Sequence, residues 1–474
     1  MDQRKRKEIE RETRKEIEKR KKETRYRLSP VAWIFLSFLL VVVLGWILLA
    51  LPFSSMDMSH PLSAIDSLFL AVSCVCVTGL SPVVVAESVS LFGRIVMGVL
   101  IQIGGLGLVT VVSFWIFITG KQTSVSQAKI IKEALNQNGF AELKSLIYHI
   151  LIMTFVFELT GMVMTMFVFV HEYDFWTALG YSVFHAVSAF NNAGFDCLGS
   201  TSLAAYKDNF LMNFATDFLI VAGSLGYLVY EDIFFRHKFK TATVQTKLVL
   251  IINLITYAVS ILVIYLIGHN RMSFMQAVTY AINLRTAGFT TFDSNLETLS
   301  SANVIVSCVV MFIGGNPMST AGGMKTVTVF VVFASMISYA TGKKIVIFKR
   351  KVADETKLKA FFLVSLGTVD VILGTILICI FERNNQDIIS LLESVQGGVG
   401  MIEAAVYEVV SAFCTVGFTL GITSYLSVGS KIVLCLLMFI GRVGPVAILT
   451  FWNPTLNRPK QDKVNYVDAQ LMIG

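Results

Sequence analysis

Charged residues are scarce in this chain. Asp, Glu, Lys and Arg make up only 15% of its 474 residues, whereas apolar residues make up 55%. A water-soluble protein of this length needs far more polar surface than that. The composition therefore excludes an ordinary set of soluble domains and predicts a membrane protein.

Paired cysteines and metal-site patterns are also lacking. The seven cysteines are scattered, no two of them form a C-x-x-C pair, and no histidine lies near one at metal-site spacing. Most of them lie inside apolar segments. We therefore interpret them as small, buried apolar side chains.

The sequence has no region suited to nucleotide chemistry. No hydrophilic stretch is long enough for a nucleotide-binding domain, and no phosphate-binding loop is present. The pattern Gly105-x-Gly107-x-x-Thr110 superficially resembles a dinucleotide turn, but it lies within an apolar segment and no strand precedes it. Paired His, Asp and Glu residues at one depth are missing too. We expect no enzyme, no organic cofactor and no nucleic-acid partner.

Long apolar segments are what the chain does contain. Eight of them reach roughly 20 residues, which a helix needs to cross the hydrocarbon core of a bilayer. They lie near residues 31–51, 91–118, 145–170, 210–235, 246–268, 302–340, 360–381 and 431–452. Basic residues cluster in some of the connections between them and are almost missing from the others. By the positive-inside rule, both termini and the basic loops are predicted to be cytoplasmic.

A short glycine turn recurs between these segments. Its clearest copy is Arg-Thr-Ala-Gly-Phe-Thr-Thr at residues 285–291, and variants are centred on Gly79, Gly194 and Gly417. Each copy follows an amphiphilic segment too short to cross a bilayer, near residues 61–76, 175–190, 272–284 and 398–413. A short helix followed by an irregular turn at membrane depth indicates a re-entrant loop that lines a water-filled cavity.

This order predicts an all-α membrane protein. We expect four helix, re-entrant pore loop and helix repeats around one central pore, with pseudo-fourfold symmetry and eight membrane spans. The boundaries are a charged cytoplasmic arm at 1–29, pore repeats at 30–120, 121–240, 241–345 and 346–455, and a cytoplasmic tail at 456–474. The arm is interpreted either as a solvated helix beside anionic lipid or as a docking segment.

Small residues form a cluster in each returning span. The clusters are Gly104-Gly105-Leu106-Gly107, Gly223-Ser224-Leu225-Gly226, Gly314-Gly315 and Gly441-Arg442-Val443-Gly444. Either close helix packing or a pore-facing role explains them.

The glycine turns have the chemistry of a cation filter. Rings of backbone carbonyls replace the water that a dehydrated cation loses. Aiming successive carbonyls at one axis requires backbone conformations that glycine adopts most readily. The preceding short helix points the negative end of its dipole toward the pore, which favours a cation.

Four strings around the glycine turns resemble the filter segments of bacterial Trk/Ktr potassium uptake proteins, closest to the KtrB type. The strings are FHAVSAFNNAGFD (184–196), NLRTAGFTT (283–291), SAFCTVGFT (411–419) and CVTGL (76–80). The resemblance implies potassium ligands at Val77, Thr78, Gly79, Leu80, Asn192, Ala193, Gly194, Phe195, Thr286, Ala287, Gly288, Phe289, Thr415, Val416, Gly417 and Phe418. Each segment has one glycine, whereas the TVGYG filter of tetrameric channels has two. We therefore expect looser discrimination against sodium.

The same resemblance implies a biological setting. It predicts potassium uptake across the bacterial cell membrane, control by a cytoplasmic ring of nucleotide-binding RCK-type subunits, and a homodimer in contact with membrane lipids. Sodium stays open as a second ion. An alternating-access cation symporter is the alternative function, although it predicts inverted repeats.

Residues 314–326, the gating loop, interrupt the longest apolar segment with four glycines and a proline. A helix cannot run smoothly through them, so they form either a packed kink or, as the resemblance implies, a movable loop below the filter. Arg442, at membrane depth, is either part of a structural ion pair or, by the resemblance, a pore residue. The predicted gate comprises Gly314, Gly315, Asn316, Pro317, Ser319, Thr320, Gly322, Gly323, Lys325 and Arg442.

Further polar residues lie within the apolar segments. They are five carboxylates, Glu158, Asp217, Asp370, Glu403 and Glu408, together with His185. For the carboxylates, hydrogen bonds between helices are weighed against a role in ion or proton relays. For His185, we expect a hydrogen bond that holds the adjacent turn.

Overall fold

The computed structural model of the protein describes residues 30–107, 140–199, 202–235, 242–268, 272–291, 300–394 and 399–444. The N-terminal arm, the tail at 456–474 and the end of the predicted span 91–118 lie outside the described residues.

The described residues are mostly helical, in four successive segments that each contain a first helix, a short helix and a return helix. The first two segments contain α1 (Pro30–Leu49), α2 (Ala64–Cys76) and α3 (Leu91–Leu106), then α4 (Phe140–Phe169), α5 (Phe175–Phe190) and α6 (Phe210–Leu225). The third contains α7 (Val244–Gly268), α8 (Phe274–Asn283), α9 (Ser301–Phe312) and α10 (Thr326–Thr341). The fourth contains α11 (Asp354–Phe381), α12 (Met401–Phe413) and α13 (Val428–Val443).

Smaller elements join these helices. Short helical turns occur at Pro52–Ser54, Val85–Ser88, Ser202–Tyr206, Tyr227–Tyr230, Glu231–Phe235 and Thr423–Tyr425, and a nine-residue helix occupies Gln386–Ser394. Strands β1 (Val346–Ile347) and β2 (Arg350–Lys351) form an antiparallel hairpin in which Val346 pairs with Lys351 and Ile347 with Arg350.

The return helices begin in the same way. The side chains of Ser90, Asn209, Ser300 and Ser427 each accept a hydrogen bond from a backbone N–H in the first turn of the helix that follows. Such N-caps satisfy donors that have no partner inside the helix. A polar residue before an apolar run thus fixes where each return helix starts.

Three described helices are long and apolar enough to cross a membrane: Ser145–Phe169, Val244–Gly268 and Asp354–Phe381. A fourth candidate is the pair Phe210–Leu225 and Tyr227–Phe235, which is bent by 91° at its break. The remaining apolar helices are shorter, among them Leu91–Leu106 and Ser301–Phe312. The helical membrane-protein character is therefore observed, and the count of eight spans stays a prediction.

Helix packing links the four segments in a cycle. The return helix α3 packs against the short helix α5 of the next segment, α6 against α8, and α9 against α12. The last return helix, α13, packs against the first short helix, α2. The short helices therefore lie at the centre of the described structure.

The small-residue clusters are packing sites. A β-carbon on Gly104 would lie 2.1 Å from the carbonyl oxygen of Val75 near the end of α2. On Gly223 and Gly441 it would lie 1.8 Å from the carbonyl oxygens of Phe190 and Phe413, which end α5 and α12. Of the two explanations weighed for these clusters, close packing is the one observed at these three glycines.

Candidate functional site

The four glycine turns start where the four short helices end. Helix α2 ends at Cys76, α5 at Phe190, α8 at Asn283 and α12 at Phe413. The carboxyl-terminal end of a helix carries a partial negative charge. Four such ends converge on the turns and favour a cation there.

The backbone of the turns has a repeated conformation. Two residues before each glycine, φ is positive: 57° at Val77, 60° at Asn192, 83° at Thr286 and 52° at Thr415. The glycines themselves have φ values of 94° at Gly79, 71° at Gly194, 78° at Gly288 and 96° at Gly417. Left-handed conformations are rare for residues with a side chain, so the same unusual path occurs in all four segments.

The turns meet one another in a closed ring. A β-carbon on Gly79 would lie 2.4 Å from the carbonyl oxygen of Ala193, and one on Gly194 would lie 2.2 Å from that of Ala287. A β-carbon on Gly288 would lie 2.4 Å from the carbonyl oxygen of Val416, and one on Gly417 would lie 2.3 Å from that of Thr78. Each glycine thus faces the carbonyl of the next segment, and the fourth faces the first. Carbonyl groups of all four segments are therefore part of the ring.

Serines within the short helices hold the turns, and the sequence analysis did not identify them. The hydroxyl of Ser73 accepts a hydrogen bond of 3.1 Å from Gly79 N–H, and that of Ser411 accepts one of 3.1 Å from Gly417 N–H. In the third segment, the side-chain oxygen of Asn283 accepts a 3.0 Å bond from Phe289 N–H. A signal was present, because Val-Ser lies at the same spacing before Gly79, Gly194 and Gly417.

Three threonine hydroxyls in the ring are buried without a hydrogen-bond partner among the described residues: those of Thr78, Thr286 and Thr415. Buried polar groups are normally hydrogen-bonded, so these three hydroxyls are available to bind an ion or a water molecule. Hydroxyl and carbonyl oxygens together form an oxygen-only donor set of the kind that suits an alkali cation. The side chains of Leu80, Phe195, Phe289 and Phe418 are buried in the apolar cores behind the ring.

A cavity of about 350 Å³ lies on one side of the ring. All four ring glycines line it, together with hydroxyl residues such as Ser81, Thr290 and Thr419. Asp196 is the acidic residue of this lining, and its carboxylate accepts hydrogen bonds from Leu198 N–H at 2.9 Å and from the Ser202 hydroxyl at 2.5 Å. This vestibule gives a cation an approach to the ring.

Residues 314–326, the predicted gating loop, pack against the ring. The Thr320 hydroxyl bonds the side-chain oxygen of Asn192 at 2.9 Å and the Phe190 carbonyl at 3.1 Å. A β-carbon on Gly322 would lie 1.9 Å from the hydroxyl oxygen of Thr415. The loop therefore touches the second and fourth ring segments directly. These contacts are those of a packed kink, and a movable loop stays a prediction.

Further contacts anchor the gating loop. The Asn316 amide donates a 2.8 Å hydrogen bond to the Ser224 carbonyl, and Tyr227 N–H donates a 2.8 Å bond to the Met318 carbonyl. Lys325 donates to the Ala321 carbonyl within the loop at 2.7 Å. Pro317 also approaches the second return segment, since a β-carbon on Gly226 would lie 2.6 Å from its carbonyl oxygen.

Arg442 lies beside the gating loop and crosses to the first segment. Its guanidinium donates to the Thr320 carbonyl and to the carbonyls of Gly104 and Gly105, the last at 3.2 Å. Among the described residues these partners are carbonyl oxygens and not carboxylates. The structural ion pair considered from the sequence is therefore not what is observed, and Arg442 binds the loop to the end of α3.

Arg285 is a functional candidate that the sequence analysis named without giving it a role. Its fully buried guanidinium donates to the Asn253 side chain at 2.7 Å, to the Gly314 carbonyl at 3.1 Å and to the Thr326 hydroxyl at 3.2 Å. It also lies 4.4 Å from the centre of the Tyr257 ring, at cation–π distance. Arg285 thus joins the third ring segment to both ends of the gating loop.

The carboxylates in the apolar segments form mostly structural contacts. Glu158 accepts a 3.2 Å bond from Asn191, Asp217 a 2.9 Å bond from Thr279, and Glu403 a 3.4 Å bond from Ser301. The Asp217 and Glu403 bonds each join two helices, and the Glu158 bond joins α4 to the residue that follows α5. Glu408 is bound locally by Thr419, Leu420 and Thr423, and Asp370 has no hydrogen bond within the described part of the chain.

Two remaining polar predictions have definite outcomes. His185 lies 2.9 Å from the Thr216 hydroxyl, so it joins α5 to α6 and does not bind the turn directly as expected. The cysteines are all free, and five of the seven are buried. Within the described ranges, no group of three or more His, Cys, Asp or Glu residues could hold a metal ion.

Comparison with known proteins places these features in a family. Residues 37–461 match the TrkH family, described as a cation transport protein. The chain is 32% identical over 463 residues to the Ktr system potassium uptake protein B of Bacillus subtilis, with 94% of this chain and 97% of that protein covered. It is 33% identical over 464 residues to the potassium/sodium uptake protein NtpJ of Enterococcus hirae, covering 96% and 99%.

A solved structure has the same fold. The crystal structure of the potassium transporter TrkH from Vibrio parahaemolyticus superposes with a TM-score of 0.64 over 89% of this chain and 86% of that one, at 18% identity. With the sequence match across nearly the whole chain, the protein belongs to the TrkH family of cation transport proteins and is a membrane transporter, not an enzyme.

Proposed function

We propose that this protein takes up potassium across the bacterial cell membrane through a channel-like pore. The closed ring of four glycine turns carries the proposal, because it brings carbonyl groups of all four segments and four negative helix ends together. The names of the relatives, potassium uptake protein B and potassium/sodium uptake protein, support the choice of ion.

The proposed architecture has four repeats with pseudo-fourfold symmetry and eight spans. Its support is the cyclic packing of each return helix on the next short helix and the repeated φ pattern of the turns. Alternating access around a pseudo-twofold axis would require inverted repeats. The four segments have one order and meet in one rotational sense, which favours the pore.

We propose that the vestibule faces the outside and the gating loop faces the cytoplasm, with both termini cytoplasmic. The placement of basic residues supports this orientation, since Lys343, Lys344, Lys349 and Arg350 lie between α10 and α11. Potassium then enters past Asp196, loses water at the carbonyl ring and leaves when the gating loop and Arg442 move aside.

The partners proposed for this transporter are a second copy of the chain and a cytoplasmic ring of nucleotide-binding RCK-type subunits. Sodium is proposed as a second ion because one relative is named for both ions and each turn has a single glycine. Co-purification with a candidate ring protein, and its loss when nucleotide is removed, tests the regulatory partner.

Rubidium uptake by the purified protein in liposomes tests the main proposal. We expect electrogenic uptake that potassium competes for, that follows the membrane potential, and that proceeds without exchange of internal ion. Uptake that is stimulated by internal rubidium would support an alternating-access symporter instead. Uptake with and without sodium tests whether sodium is coupled to potassium uptake. Uptake with and without the ring protein tests whether that protein regulates transport.

A further inference from the structure

We propose that a groove between α3 and α5 is a binding site for one phospholipid, with an acyl chain in the groove and the phosphate at Arg94. The groove has a volume of about 950 Å³ and is separate from the vestibule and the gating loop. Glu158 of α4 contributes to its lining.

Two helical glycines leave space in this groove that no described residue fills. A β-carbon on Gly180 would meet no atom within 4 Å, and the nearest atom to one on Gly98 is a Phe184 ring carbon at 3.9 Å. Other helical glycines, such as Gly104 and Gly223, press against backbone carbonyls. Glycine is unfavourable inside a helix relative to alanine. Neither packing nor a positive φ requires glycine at positions 98 and 180. The open space beside these two glycines therefore favours a bound molecule in the groove.

The lining has the chemistry of a lipid chain. Leu91, Ile95 and Val99 on one face of α3 expose 71%, 58% and 54% of their surface, and Val183 on α5 exposes 44%. In the membrane, a space of this size bordered by exposed apolar side chains is filled by a hydrocarbon chain.

The charge at the mouth of the groove fits a phosphate. Arg94, in the first turn of α3, donates from Nε to the Val89 carbonyl at 3.0 Å and from Nη2 to the Ala86 carbonyl at 2.8 Å. A guanidinium has five N–H donors, so these two bonds hold it in place and leave others for a phosphate oxygen. Trp176, in the first turn of α5, is 76% exposed beside this mouth, as expected at the level of lipid headgroups.

The inner end of the groove lies next to the second ring segment. Asn191 donates to Glu158 at 3.2 Å and to Gln102 at 2.9 Å, and both acceptors line the groove. Asn191 immediately precedes the ring residue Asn192. Because the Glu158 carboxylate is already bonded to Asn191, the free positive charge at the mouth favours a lipid phosphate over an amphiphilic cation. An occupying chain would support α5 and the second ring segment.

Native mass spectrometry of the detergent-purified full chain tests the site. We expect wild type to retain one phospholipid that Gly180→Leu displaces and that Arg94→Gln retains at least tenfold less well, while Arg94→Lys restores part of the binding. Matched controls are Ala258→Leu, on an exposed face of α7, and Arg383→Gln, an exposed arginine outside the groove. Both should keep the lipid.

Retention of the same lipid by Gly180→Leu would overturn the proposal. So would a protein that carries no lipid and loses its dimer in Gly180→Leu, because a second copy would then cover the groove. Binding of a long-chain ammonium that Glu158→Gln abolishes would also count against it. Gly98→Leu serves as a second filling variant if Gly180→Leu does not fold. Lipid retention is measured without transport, so this result is independent of the proposed uptake.

Discussion

At the scale of single residues, the ring glycines meet two separate requirements. Each has a positive φ, and each faces a carbonyl of the next segment at a distance that admits no side chain. The first requirement concerns the stability of the fold, and the second concerns the proposed ion path. A suitable pair of substitutions separates the two.

Gly288→Ala should abolish rubidium uptake. Its β-carbon would lie 2.4 Å from the carbonyl oxygen of Val416, so a ring carbonyl must move. Gly342→Ala is the matched control, since Gly342 has a φ of 67° with no atom within 4 Å of a β-carbon. That control carries only the conformational cost of a left-handed residue, about 1–2 kcal/mol. It should melt at a lower temperature and transport normally.

Transport at the wild-type rate by both alanine variants would contradict the carbonyl ring as the ion path. The same loss of transport in both would show that the backbone conformation alone matters. The comparison is informative because the two glycines share φ and differ in what faces them.

Arg285→Lys should destabilise the protein by about 1.5–3 kcal/mol, the range for a hydrogen bond to a charged group. Lysine carries a single ammonium and cannot reach the Asn253 side chain and the Gly314 carbonyl with the planar geometry of arginine. Thermal denaturation measures the effect. Arg350→Lys, at an exposed position of the β hairpin, is the control and should leave the melting temperature unchanged. Equal melting of both variants would mean that Arg285 does not hold the gating loop.

At the scale of elements, the helices and turns could be predicted from the sequence because each leaves a local signature. The short helix α5, for example, occupies Phe175–Phe190, where an amphiphilic segment was expected at 175–190. The contacts between elements leave no such signature. Thr320 and Asn192 are 128 residues apart, and Arg442 and Gly104 are 338 apart. No local pattern could show that Arg442 binds backbone carbonyls or that His185 binds Thr216.

Thr320→Val should shift the loop equilibrium toward the open position by about 5- to 150-fold and increase rubidium uptake accordingly. The substitution leaves the buried side-chain oxygen of Asn192 without its donor, which costs about 1–3 kcal/mol in the closed position only, since water reaches Asn192 when the loop moves away. Each 1.4 kcal/mol changes such an equilibrium about tenfold.

Ser319→Ala is the matched control for the loop. Its hydroxyl donates to the Asn316 carbonyl inside the same loop and does not reach the ring. Uptake by Ser319→Ala should equal that of wild type. If Thr320→Val also transports at the wild-type rate, the contact with Asn192 does not limit ion passage.

At the scale of the whole molecule, the cycle of four segments has to close between the last return helix and the first short helix. One ion pair spans that junction: Lys431 of α13 lies 2.8 Å from Asp66 of α2, and the two side chains are only 11% and 19% exposed. These residues are 365 positions apart in the sequence. The pair therefore joins the two ends of the cycle.

Asp66→Asn and Lys431→Met should each destabilise the protein by about 1.5–3 kcal/mol, because each leaves a mostly buried charge without its partner. The double variant should lose less than the sum of the two, since no unpaired charge is left behind. The matched control is the pair of Lys357 and Asp354 at 2.8 Å, where the carboxylate is 71% exposed and removal should cost about 0–1 kcal/mol. Thermal denaturation gives the stabilities, and rubidium uptake in liposomes reports whether the ring keeps its shape.

Additive losses with unchanged uptake would show that the junction is closed by apolar packing of α13 on α2 alone. A non-additive loss, accompanied by reduced uptake in the single variants, would show that closure of the cycle positions the carbonyl ring.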